Sequence, residues 1–201
     1  MNNTSLTTLR NLLILTLFLL VGMAVAFYLR PQPFEQRIAL GEQLGGDFTL
    51  QGLNGPVSLA DFRGKVVVMY IGYASCPDVC PTSLGILSTA MMKLNEAEQA
   101  QIQPLFISVD PQRDTPERLD EYARYFHPRM LGISGSRQQI DQVVKQYGSY
   151  YRIVQLEDSA LDYAVDHTSR LYLIDRQGKL SSTLTHNSYP DELAQALRQL
   201  L

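Results

Sequence analysis

The chain has 201 residues, of which 45% are hydrophobic and 18% charged. Setting aside an apolar amino-terminal segment leaves about 165 residues, enough for one domain with a real core and too few for two. The formal net charge of -3 and the absence of a clustered basic face exclude a nucleic-acid partner.

Residues 12–29 carry no charge and are bracketed by Arg10 and Arg30. About 18 such residues just span a hydrocarbon core of about 30 Å. The competing reading is a cleaved signal peptide, because Ala24-Val25-Ala26 has the small-x-small form of a cleavage site. The apolar run exceeds the usual signal core of about 7–15 residues, which favours a retained anchor. The stretch before Arg10 is too short and too poor in arginine for a mitochondrial transit peptide, so the expected setting is the bacterial envelope. The expected organisation is a cytoplasmic tail (1–11), a single transmembrane anchor in the inner membrane (12–29), a linker (30–46) and a soluble periplasmic domain (47–201). Arg30 and Arg37 on the exported side weaken the positive-inside signal, so orientation rests partly on the short tail.

Pro31-Gln32-Pro33 predicts a stiff, extended exit from the membrane, and the glycine-rich residues 41–46 a loop. Asn54-Gly55 between two apolar stretches predicts a small β-hairpin. Val66-Val67-Val68-Met69-Tyr70-Ile71 then reads as a strand buried on both faces, the pattern of a central parallel strand. Both cysteines of the chain follow at its carboxyl end in Cys76-Pro77-Asp78-Val79-Cys80-Pro81, with Pro81 expected to open a helix. Leu84, Leu87, Met91 and Leu94 mark the buried stripe of that helix. Met91 and Met92 read as core filling rather than as thioether copper ligands.

Residues 102–109 predict a strand beside the central one. The loop Asp110-Pro111-Gln112-Arg113-Asp114-Thr115-Pro116 leads into a helix capped by Asp114 or Thr115, with Leu119, Tyr122, Ala123 and Phe126 inward. Asp110, Arg113 and Asp114 have two readings, as charges that tie the loop and cap the helix, or as the rim of the cysteine site. Residues 131–134 predict a short strand. Ser136 and Gln139 form a capping box ahead of Ile140, Val143, Val144 and Tyr147, and Gly148 ends that helix. Residues 150–155 read as a strand, 156–161 as a polar loop, and 163–170 as a lead into a strand at 171–174. That strand turns through Arg176-Gln177-Gly178 to pair with 180–184. Pro190, Leu193, Ala196, Leu197 and Leu200 make a closing helix. The alternation gives an α/β sandwich with a mixed sheet. Tyr147, Tyr150, Tyr151 and Tyr163 read as aromatic core rather than as a docking face.

The chemistry centres on the sulfur pair. A helix amino terminus at the end of a sheet favours thiolate over thiol. A disulfide closing this five-residue loop would contribute only about 2 kcal/mol, so stapling is a poor reason for the spacing. Residues four apart share a face in a helical turn, so Cys76 and Cys80 can meet one ion or each other. Soft thiolates select Cu(I), zinc or iron–sulfur clusters, and two cysteines are too few for an ordinary cluster. An imidazole is the natural third ligand. His127 and His186 read as surface residues, whereas His167 sits in a polar loop before an apolar strand, from which it can reach a neighbouring loop.

Cys76-Pro77-Asp78-Val79-Cys80-Pro81, Ser108-Val109-Asp110-Pro111-Gln112-Arg113-Asp114-Thr115-Pro116 and Val165-Asp166-His167-Thr168 resemble, in order and spacing, the three signatures of the Sco/SenC family of copper proteins. The resemblance runs from about Phe48 to the carboxyl terminus. It implies a thioredoxin-like fold, a membrane anchor, and delivery of copper to the dinuclear copper centre of cytochrome c oxidase. It also implies Cys76, Cys80 and His167 as copper ligands. The expected partners are the copper-bearing oxidase subunit, a copper-donating protein and a thiol reductant. Ala74 departs from the hydroxyl residue many members carry there. Asp166 either orients His167 or is a strand-edge charge. The rival function is a membrane-anchored thiol-disulfide oxidoreductase with Cys76 and Cys80 as its redox pair and possible disulfide. Against it, no proline stands just before Leu171, where thioredoxin-type enzymes carry their cis-proline. A peroxidase on the same fold lacks a clear motif, and zinc is the remaining alternative metal.

Overall fold

A computed structural model of the chain describes residues 3–29, 44–156 and 162–201. Arg30, Arg37, Pro31-Gln32-Pro33, the first part of the predicted 41–46 loop and most of the 156–161 loop lie outside the described residues.

The amino-terminal unit is helix α1, Asn3–Tyr28. Its stretch Thr7–Tyr28 has a mean hydropathy of 2.3 and is long and apolar enough to cross a membrane.

The second unit is built on a five-stranded mixed sheet. Strand β3 (Val66–Gly72) and strand β4 (Ile102–Ser108) are buried at every residue and pair in parallel. That pattern matches their near-continuous apolar sequence. Strand β5 (Leu131–Ile133) extends the parallel side, while β8 (Arg170–Ile174) and β9 (Leu180–Thr185) add antiparallel pairs on the other flank, giving the order β5-β4-β3-β8-β9. The predicted hairpin is present as β1 (Thr49–Gly52) and β2 (Gly55–Ser58). Gly55, at a φ of 122°, supplies the left-handed turn conformation.

Helices α2 (Val79–Met92), α3 (Glu96–Ala100), α4 (Pro116–Phe126), α5 (Arg137–Gln146) and α6 (Pro190–Leu200) complete the domain. Helix α2 starts two residues before the predicted Pro81, so Cys80 lies in its first turn and Cys76 outside it. Thr115 is the cap of α4, its side chain accepting from the Arg118 N–H, with Pro116 as first helical residue. The capping box of Ser136 and Gln139 forms as expected. Met91 is fully buried, but Met92 is 69% exposed, so core filling holds only for the first of the pair. Tyr147 is core: it is fully buried, meets Phe48 and Tyr172 edge-on, and donates to the Gly46 carbonyl at 3.0 Å. Tyr150, by contrast, is 56% exposed.

One element differs in kind from the sequence reading. Residues 163–167 are no lead-in loop; they form strand β7 (Tyr163–His167), which pairs antiparallel with β6 (Tyr151–Gln155) as a separate two-stranded sheet. His167 is its last residue and pairs with Tyr151. The alternation Tyr163, Val165, His167 against Ala164, Asp166 is the period-2 signal of a strand with one buried face.

Helix α4 crosses β5 so closely that a side chain on Gly132 would come within 2.2 Å of the Leu119 carbonyl oxygen. Backbone cannot yield there as a flexible side chain would. Gly132→Ala is expected to lower stability by about 1–3 kcal/mol, the usual range for overpacking. Chemical denaturation checks this, and an unchanged midpoint would contradict the packing described.

Candidate metal centre

The sulfur-bearing loop follows directly from the end of β3. The Val109 N–H donates to the Gly72 carbonyl at 2.8 Å, which draws the segment after β4 alongside. From there Asp114, 2% exposed, accepts through Oδ2 from the Ser108 hydroxyl at 2.5 Å and from the Ala74 N–H at 2.9 Å. Burial raises the Asp114 carboxyl above its usual range, against the pull of those hydrogen bonds. Arg118 donates to the Ser75 hydroxyl at 2.9 Å. Asp110, Arg113 and Asp114 thus tie the loop, and Asp114 also fixes the turn carrying Cys76. Because residue 74 is held through its backbone, the departure at Ala74 removes nothing from this contact.

Cys80 is fully buried and Cys76 is 9% exposed, and both are free thiols. The Cys80 sulfur lies over Gly72, where an added side-chain carbon would come within 2.5 Å of it. Only a glycine at the end of β3 leaves that space. His167 Nε2 is 3.3 Å from Cys80 Sγ, and donor atoms of Cys76, Cys80 and His167 all lie within 4.8 Å of one another. The imidazole is packed edge-to-face against Tyr70 and Tyr73, with ring centroids 6.1 and 5.8 Å away. Its Nδ1 is 3.4 Å from the Thr168 carbonyl. A proton on Nδ1 facing that carbonyl leaves the Nε2 lone pair for an ion.

The two sulfurs titrate apart. A hydrogen bond from Cys80, together with His167 and the backbone N–H groups of Asp78 and Cys80, draws Cys76 down to about 3, against the opposing effect of burial. Burial pushes Cys80 far up, helped by the negative charge of its neighbour. The surroundings thus favour ionisation of Cys76 over Cys80.

Two expectations need correction. His127 is no surface residue: it is 7% exposed, its Nδ1 accepts from the Arg129 N–H at 3.2 Å, and burial lowers its pKa. It serves the fold rather than the site. Of the two readings of Asp166, the strand-edge charge is the one observed: it faces outward and pairs with Arg152 at 2.8 Å, because neighbouring residues of a strand point to opposite faces. His167 itself leaves from a strand end rather than a loop. His186 is exposed, as expected. The tyrosines around the imidazole were not singled out from sequence, although Tyr70 and Tyr73 flank the β3 end at an alternating position and just beyond it.

The family profile described as SCO1/SenC matches residues 36–201, and the chain belongs to that family. An SCO2-like protein of Rickettsia conorii is 35% identical over 195 residues, covering 92% of this chain and 95% of the relative. Among solved structures, the apo Sco1 protein of Thermus thermophilus superposes with a TM-score of 0.72 at 38% identity, covering 79% of this chain and 92% of that one. The copper-bound ScoI of Bradyrhizobium japonicum gives 0.71 at 37% identity, covering 79% and 99%. The thioredoxin-like fold with its mixed central sheet is borne out by these likenesses.

The split titration has a direct check. In the reduced, metal-free chain the Cβ chemical shift of Cys76 should stay at its thiolate position from about pH 9 down to about pH 5, since a lowered pKa keeps the charge as pH falls. The Cys80 carbon should stay at its thiol position over the same range. An inflection near pH 8.5 in either would contradict the arrangement.

Proposed function

We propose that the chain is a membrane-anchored copper carrier that binds one copper ion through Cys76, Cys80 and His167. The observation that carries this reading is the convergence of two sulfurs and an imidazole within 4.8 Å. Two soft sulfurs with one imidazole suit Cu(I), and tolerate Cu(II) with one further ligand. The lowered pKa of Cys76 eases its deprotonation for an arriving ion, and any proton still held by either sulfur is released on binding. A site of three donors leaves a position open for an incoming ligand, which suits cargo that has to leave again. The copper-bound relative from Bradyrhizobium japonicum supports the choice of metal.

The cargo is destined for the dinuclear copper centre of cytochrome c oxidase during its assembly, as the family resemblance implies. The partners are then the copper-bearing oxidase subunit, a copper-donating protein and a reductant that keeps the thiols open. In this reading residues 1–11 are cytoplasmic, 12–29 anchor the chain in a bacterial inner membrane, 30–46 are a linker and 47–201 work in the periplasm. The length and hydropathy of Thr7–Tyr28 support the anchor.

A second reading, thiol-disulfide exchange with partner cysteines, is favoured by one observation. A sulfur whose pKa is lowered beside one whose pKa is raised is the arrangement of an attacking and a resolving sulfur. The two readings separate on His167. Copper loading of the full chain in detergent should give one copper per chain, and His167→Ala should bind it at least about tenfold more weakly, since losing even a residue that only orients a metal ligand costs about 10–100-fold. Unchanged affinity and spectrum would remove His167 from the site. A His167→Ala chain that loses copper and still reduces disulfides at the wild-type rate would show that the activities are separable. A loaded chain that stays colourless on oxidation and lacks a paramagnetic signal would point to zinc.

A further inference from the structure

His167 is carried on a hairpin that shares no strand pairing with the main sheet. Its position against the sulfurs therefore depends on the two-residue link to β8 and on side chains that fasten β6 and β7 to the rest of the domain. Two such mounts are present. At the His167 end, Tyr151 of β6 accepts from Arg137 Nη1 at 3.1 Å and donates to Asp141 at 2.5 Å, while the same Arg137 nitrogen reaches the Val109 carbonyl at 2.9 Å. At the far end of β7, Tyr163 is gripped by the loop after β4. Its hydroxyl donates to Asp110 Oδ1 at 2.8 Å, and its carbonyl accepts from Arg113 Nη1 at 3.0 Å. Arg113 Nε meets Asp110 Oδ2 at 2.5 Å, and the guanidinium carbon lies 3.7 Å from the centre of the Tyr163 ring.

The same guanidinium is 5.7 Å from the ring of Tyr73, whose edge-to-face partner is His167. Tyr163, Val165 and His167 share the inward face of β7. Arg113 thus touches the base of the strand that carries the imidazole and the ring that packs against that imidazole. Asp110, which holds Arg113, is 1% exposed, so the ion pair sits on a rigid base. We propose that Arg113, held by Asp110, is a positioning residue that keeps His167 against the sulfur pair and so sets how fast a bound copper ion leaves. The release-rate half of this proposal rests on His167 being a copper ligand; the mounting half does not.

The test uses the full chain in detergent, as wild type, Arg113→Ala, Arg113→Lys and Tyr163→Phe. In the metal-free state, amide hydrogen exchange in residues 163–167 should quicken by about tenfold in Arg113→Ala, the scale of one charge-assisted hydrogen-bonded contact. It should quicken less in Tyr163→Phe and Arg113→Lys, while β3 and β4 keep wild-type protection. In the Cu(I)-loaded state, transfer to a soluble bidentate Cu(I) chelator should quicken in the same order, with one copper per chain still bound before the chelator is added. Exchange in 163–167 that stays at the wild-type rate overturns the mount. So does a loss of protection that spreads equally to β3, which would make Arg113 a residue of general stability. If Arg113→Ala fails to fold, Tyr163→Phe decides the same question, since it removes one hydroxyl only. A wild-type chain that takes up no copper overturns the release-rate half, and the exchange measurement still decides the mount.

Discussion

The arrangement depends on a vacancy at the end of the central strand. Gly72 closes β3, and the sulfur of Cys80 occupies the space its side chain would fill. That contact lets the first turn of α2 sit down on the carboxyl end of the central strand, which buries Cys80 completely and brings its sulfur to 3.3 Å from the imidazole. A side chain at this one position would push the sulfur away from His167 and separate the three donors.

Burial then creates an electrostatic asymmetry. Burial disfavours ionisation of the deeper sulfur, while a hydrogen bond from it and the backbone N–H groups at the start of the helix lower the pKa of the shallower one. The segment after β4 supports both sides of the centre. Asp114 fastens the turn before Cys76, while Asp110 and Arg113 fasten the hairpin of His167. One short loop therefore supports both the turn carrying Cys76 and the hairpin carrying His167, which are far apart in sequence.

Much of this was legible in the chain. The β-branched run of β3, the apolar β4, the capping box at Ser136 and the Asn54-Gly55 turn each carry a local signal strong enough to survive tertiary packing. The sulfur spacing and the choice of His167 followed from metal chemistry and from three motifs read together. What was missed required long-range information. His127 sits beside a proline after a helix, which looks like surface, and its burial comes from segments distant in sequence. The outward turn of Asp166 follows once 163–167 is a strand, yet that strand is short, mixed in polarity and pairs across a loop. The service of Arg113 to His167 could not be read locally, because it acts through Tyr163 and Tyr73, 50 residues ahead in one case and 40 behind in the other.

The central claim is that two sulfurs and one imidazole share a single copper ion. X-ray absorption at the copper edge of the loaded chain addresses it most directly. The account predicts a first shell of two sulfurs and one imidazole nitrogen, with the imidazole contribution lost in His167→Ala. A shell of sulfur alone, or of nitrogen and oxygen alone, in the wild-type chain would contradict it.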